Sequence, residues 1–169
     1  MDEGYKGPLE MTRMGRCAKL AWEHAVEELE NATVSRPAIM TTHLLLGVLR
    51  EPDCAGGLLL AKMGLDLELA ILTTNFVLLH GRPFETVTEP VIVWGDKPHT
   101  TTALTVLEYS LDEAALYSDT YPIGTEHILL GLLRRSEGAG CRLLNYFGIT
   151  EKLARDTRNE FWEILKLAE

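Results

Sequence analysis

The chain has 169 residues, 46% hydrophobic and 24% charged, which is ordinary for a globular protein and long enough to bury a core without staples. Sixteen basic residues against 25 acidic ones leave a formal charge of −9 and no basic run, which excludes a nucleic-acid binder, since phosphate contacts need clustered Lys and Arg. The longest apolar stretches fall far short of a bilayer crossing.

The opening M-D-E-G-Y-K-G-P is charged and breaker-rich and lacks the apolar core of a signal peptide. Cys17, Cys54 and Cys141 share no metal-ligand spacing, and an odd count does not suggest a disulfide framework. Together these features predict a soluble, cytoplasmic protein with reduced thiols in small core positions.

A first helix is expected from about Thr12 to Asn31, with Leu20, Ala21, Ala25 and Leu29 on one face and Glu27, Glu28 and Glu30 on others. Thr41, a good N-cap, opens a second helix that stops around E-P-D, where Pro52 restricts its neighbour. A third covers Ala55 to Met63 and ends at Gly64 in the left-handed C′ position; Asp66 then caps a fourth that ends near His80-Gly81. Residues 81–99, rich in Pro and Gly, read as a linker. Within it Val91-Ile92-Val93-Trp94 is apolar and β-prone, and packing on the helices is favoured over an exposed docking strip. Four more helices follow near Thr101–Ser118, Thr125–Arg135, Ala139–Phe147 and Thr150–Leu167.

The second set repeats the first. T-T-H-L-L-L-G-V-L-R from Thr41 matches T-E-H-I-L-L-G-L-L-R from Thr125, and the register of 84 residues holds without a gap to Asn75 and Asn159, with 16 identities in 35 positions. About two would arise by chance, so the repeat is real. Gly47 and Gly131 recur inside matched helices, where glycine costs roughly 1 kcal/mol relative to alanine. A close helix crossing with no room for a Cβ explains both. The expected fold is all-α: two tandem four-helix repeats, about eight helices with pseudo-two-fold symmetry, over residues 10–80 and 100–168 with a linker at 81–99. A tandem repeat without a catalytic cluster points to a binding module.

At I-G-T-E-H-I-L-L-G-L-L-R, Ile123 to Arg134, the chain resembles the Clp repeat domain, the N-terminal domain of ClpA/ClpC-type AAA+ unfoldases. P-H-T-T-T-A-L-T-V-L-E (Pro98–Glu108), L-A-W-E-H-A (Leu20–Ala25) and G-A-G followed by L-L-N-Y-F-G-I support it, and the second repeat is the closer match. The resemblance implies a non-catalytic module that recruits substrates and adaptor proteins to a Clp protease, with no cofactor. No Walker motif G-x-x-x-x-G-K-[ST] is present in this sequence. An alternative it implies is a structural accessory subunit that docks on the proteolytic ring or unfoldase, as plant plastid complexes contain; the plastid stroma would then be the location. Some family members bind phosphoarginine-tagged proteins at two equivalent sites.

Residues around Glu126 suit such a ligand. Thr125 begins a helix whose first amides lack intrahelical partners and favour an anion, and Glu126 could pair with a guanidinium. Thr100 and Thr101 complete the phosphoarginine-type set that the resemblance implies. An acid in the first helical turn is also stabilising by itself, by about 0.3–1 kcal/mol. In repeat 1 the equivalent positions are Thr41 and Thr42, with no carboxylate, so at most one site is expected. His43 and His127 lack an acid, nucleophile or metal ligand at matching spacing and read as capping or packed residues; His24 and His99 carry no signal. Adjacent Glu126 and His127 point about 100° apart on a helix, which argues against a hydrolase. No catalytic or metal-ligating residue is assigned.

Overall fold

The computed structural model describes residues 11–31, 38–80 and 89–167, with side chains as far as Glu163. Among these residues eight α-helices form in the expected order: α1 Arg16–Glu30, α2 Thr41–Leu49, α3 Ala55–Lys62, α4 Leu67–His80, α5 Thr101–Ala115, α6 Thr125–Arg134, α7 Ala139–Tyr146 and α8 Glu151–Leu167. The punctuation acts as the sequence suggests. Asp66 Oδ1 accepts the Leu69 N–H at 3.0 Å, and Thr150 Oγ1 accepts the Leu153 N–H at 3.2 Å. Gly64 and Gly148 take φ of +85° and +81°, the left-handed C′ conformation. The first helix starts later than Thr12 because Met11–Arg13 form a single 3₁₀ turn and Met14 is drawn into a bridge with Ile123.

Gly47 and Gly131 mark the tightest crossings. A Cβ at Gly47 would overlap the Ala21 carbonyl of α1, and one at Gly131 would lie 2.5 Å from the Val106 carbonyl of α5. Each repeat thus packs its first helix on its second, and the same ion pair spans both crossings: Glu28 with Arg50, and Glu113 with Arg134 at 3.1 Å.

The repeats exchange their edges. The Gly15 N–H donates to the Ile123 carbonyl at 2.9 Å and the Ile123 N–H to the Arg13 carbonyl at 2.8 Å, so the chain before α1 pairs with the chain before α6. Reciprocally, the Ile39 N–H donates to the Pro98 carbonyl at 2.8 Å and the Thr100 N–H to the Ile39 carbonyl at 2.9 Å, pairing the start of α2 with that of α5. The four bridging residues, Met14, Ile39, His99 and Ile123, are buried. Helix α3 packs on α6 and α7 on α2, again across the repeats. One continuous core runs through both halves, led by Ile39, Leu45, Leu107, Ile123 and Leu129.

Two expectations need correction. The inter-repeat segment is folded where described: β1 Val91–Trp94 pairs antiparallel with β2 Lys97–Thr100 around Gly95 at φ +66°. The strand alternation divides the two readings of Val91–Trp94, because Trp94 is buried while Val91 and Val93 face outward. Trp94 stands edge-on to Trp22 with ring centroids 6.1 Å apart, and the Trp22 Nε1–H donates to His99 Nε2 at 3.2 Å. Residues 81–88 of the expected linker, and the N-terminal segment judged against a signal peptide, lie outside the described residues. Second, Cys17 and Cys54 are joined as a disulfide, with Cα atoms 6.1 Å apart, and only Cys141 is a free, buried thiol. The bond ties the first turn of α1 to the residue preceding α3. Among the described residues no helix is long and apolar enough to cross a membrane.

Candidate binding site

The cross-repeat pairing decides where each candidate residue sits. Thr125 is fully buried, and its Oγ1 accepts the Gly56 N–H at the start of α3, 2.9 Å away. Thr41 does the same for Gly140 at the start of α7, at 3.0 Å. Each threonine therefore satisfies an orphan amide of a helix in the other repeat. The Thr125 and Thr41 hydroxyls are thus engaged within the protein. Thr42 is buried too, and its Oγ1 has no partner among the described residues.

Thr100 and Thr101 belong with α2 rather than with Glu126. Thr100 caps its own helix, accepting the Ala103 N–H at 3.2 Å. Glu89 lies over the same turn, receiving hydrogen bonds from the Thr101 hydroxyl at 3.2 Å, the Thr102 N–H at 3.0 Å and the Thr102 hydroxyl at 2.6 Å. A carboxylate from within the chain thus occupies the α5 N-terminus, as the dipole favours. The four residues grouped by the sequence are divided between two cross-repeat backbone junctions.

Glu126 lies beside the second junction, where the chain before α6 pairs with that before α1. It is 7% exposed, with its carboxylate folded over Gly124. Burial pushes its pKa above the usual carboxylate range, opposed by its own backbone N–H and the charge of Arg158. His127 is fully buried and caps the helix: its Nδ1 accepts the Gly124 N–H at 2.8 Å, so the proton resides on Nε2. Burial, assisted by Arg158 and opposed by Glu113, lowers its pKa to about 4. His43 repeats this role, accepting the Met40 N–H at 3.1 Å. Both histidines are caps, as expected.

Behind them lies a feature that the sequence analysis does not single out. Tyr117, Tyr121, Asn159, Trp162 and Glu163 line an open cavity of about 370 Å³. The Tyr117 and Tyr121 rings are 4.9 Å apart, Tyr117 meets Trp162 at 6.5 Å, and both tyrosines contact His127. Its signal in the sequence was three aromatics on segments converging at the end of α5 and on α8, visible only once those segments were placed. Deeper still, buried Glu113 receives Arg155 Nη2 at 2.7 Å and Nη1 at 2.9 Å as well as Arg134. Burial alone would raise its pKa, but Arg155 and Arg134 outweigh this and hold it below the usual range. This is a structural network: it fixes α5, α6 and α8 together. Among the described residues no cluster of His, Cys, Asp or Glu could hold a metal.

No family model matches the chain. It is 32% identical over 136 residues to the chaperone protein ClpB of Oceanobacillus iheyensis, and 32% identical over 131 residues to the negative regulator of genetic competence ClpC/MecB of Bacillus subtilis. Each match takes in 78% of this chain and 15% of the relative, so the chain spans a small part of the curated relatives it matches. Its fold is that of the crystal structure of the N-terminal domain of the caseinolytic protease associated chaperone ClpD from Arabidopsis thaliana, with a TM-score of 0.68, 21% identity, and coverage of 93% of this chain and 99% of that one. The paired helical repeats, their matched glycine crossings and these likenesses lead to one conclusion: the chain belongs to the Clp N-terminal (Clp repeat) domain family.

Proposed function

We propose that the chain is a non-catalytic protein-binding module that recruits substrates or adaptors to a Clp-type chaperone–protease, and that repeat 2 carries the recruiting surface. The supporting observation is the aromatic cavity of Tyr117, Tyr121 and Trp162 with Glu163 among its lining residues and Glu126 close behind Tyr121. Aromatic faces beside carboxylates suit a cationic side chain of a partner polypeptide, an interaction worth about 0.5–2 kcal/mol. Repeat 1 has Leu78 and Leu79 where repeat 2 has Trp162 and Glu163.

A finer form of the proposal is a single phosphoarginine-type site in repeat 2. Glu126 would hold the guanidinium, and the first-turn amides of α1 and α6 would face the phosphate. Thr125 and Thr41 take no direct part, because their hydroxyls are already acceptors for Gly56 and Gly140. Calorimetry with phosphoarginine on wild type and Glu126→Ala tests this. One site, lost in the variant, is the expected result. A stoichiometry near two overturns the single-site form, and no heat at millimolar ligand overturns phosphoarginine binding altogether. Capture of purified Clp unfoldase and of peptidase on the immobilised chain tests the broader recruitment role; retention of the peptidase alone would favour a docking subunit instead.

A further inference from the structure

Helix α4 carries a largely exposed apolar face, against which the described structure packs the His80 ring of the same helix, 4.7 Å from that of Phe76. Leu69, Leu72, Phe76 and Leu79 are 57%, 67%, 63% and 49% exposed, and their spacing of three, four and three residues is that of a coiled-coil seam. The protein contains its own control. At the equivalent positions of α8, 84 residues on, stand Leu153, Asp156, Glu160 and Glu163. Three of these four places are charged in α8 and apolar in α4, Leu153 alone matching Leu69, so the fold itself does not require the full stripe.

We propose that α4 is a homodimerisation seam, in which two copies of the chain pair their α4 helices antiparallel about a two-fold axis. The positions are symmetric about the level of Thr74: Leu69 falls opposite Leu79 of the second copy, and Leu72 opposite Phe76. The only ionisable side chains of α4, Glu68 and His80, obey the same symmetry, so that each carboxylate meets an imidazole across the pair. The helix dipoles also oppose favourably in this orientation. A second copy is the occupant that necessarily presents a helix of matching spacing and no opposing charge, giving an isologous interface. With 14 residues, α4 is about 21 Å long. That length gives an interface below the roughly 1,600 Å² of a standard complex, the size class of weak and transient contacts, which calls for a micromolar concentration range.

Sedimentation equilibrium of the full chain from about 5 to about 500 μM tests this range. The apparent mass of wild type should rise from 18.9 kDa toward twice that value. Leu72→Arg and Phe76→Glu should each stay monomeric at every concentration. Mixed one to one, they should associate again. In an antiparallel pair the introduced guanidinium of one chain faces the introduced carboxylate of the other, while the unchanged Phe76 of the first still faces the unchanged Leu72 of the second. That rescue also proves both variants folded. A wild type that stays monomeric throughout, single variants that dimerise like wild type, or a mixture no heavier than its parts would each overturn the proposal.

Discussion

Replacing Thr125 with valine isolates the contact that joins the two repeats. Valine keeps the shape of the side chain but cannot accept the Gly56 N–H, which donates to Thr125 Oγ1 across 2.9 Å. Gly56 stands in the first turn of α3, so its amide has no intrahelical acceptor. Water cannot substitute, because Thr125 is fully buried and a Cβ at Gly56 would already lie 2.8 Å from the Thr125 carbonyl group. An unsatisfied buried donor costs about 1–3 kcal/mol, and exchanging hydroxyl for methyl returns less than about 1 kcal/mol. A net loss of about 2 kcal/mol is expected, or a drop of roughly 4–8 °C in Tm for a domain of this size. Urea unfolding of wild type, Thr125→Val and Thr125→Ser measures it, with serine keeping most of the stability. Valine within about 0.3 kcal/mol of wild type, or serine as damaging as valine, would refute the hydrogen-bond account.

Two further outcomes follow from the described contacts. Thiol titration of the unfolded, non-reduced chain should find one reactive cysteine, Cys141, rising to three after reduction, and reduction should destabilise the protein by about 3–4 kcal/mol because Cys17–Cys54 closes 37 residues of chain; three thiols without reductant would remove the bond from the picture. His99 and His127, with pKa values lowered from 6.5 to about 4, are neutral when folded and charge on unfolding, so the unfolded chain binds more protons between those values. Stability should therefore fall as pH drops from about 6.5 to 4, by up to roughly 1.4 kcal/mol per pH unit for each histidine, and His99→Gln should flatten the slope in urea titrations; a wild-type profile flat over that range contradicts it.

The helices were legible because their boundaries are written in local chemistry. Asp66, Thr150, Gly64 and Gly148 act within a few residues of their positions, and the glycines at 47 and 131 report a crossing through the absence of a side chain. What bridges the repeats was not legible. The parallel pairings at Met14–Ile123 and Ile39–His99 involve one residue each and leave no alternating pattern to read. His99 gave no signal because its role depends on Trp22, 77 residues away. The first strand of the β-hairpin was legible as β-prone, but its partner K-P-H-T carries no strand pattern, and nothing in the spacing of Cys17 and Cys54 declares their bond. For the candidate site, sequence identified Thr125 and Glu126 as the start of a helix but not that the threonine is claimed by α3 of the other repeat. The aromatic cavity draws its walls from the end of α5, the approach to α6 and from α8, which only the fold assembles.

Because the segment before each repeat's first helix is paired with the segment before its sibling's second, neither half closes on itself. A change in the α1 approach disturbs the turn that leads to Glu126, and one in the α5 approach the turn that leads to Thr42. Duplication here has yielded two interlocked composites, so that drift in one copy is felt at a doorway whose other jamb belongs to its twin.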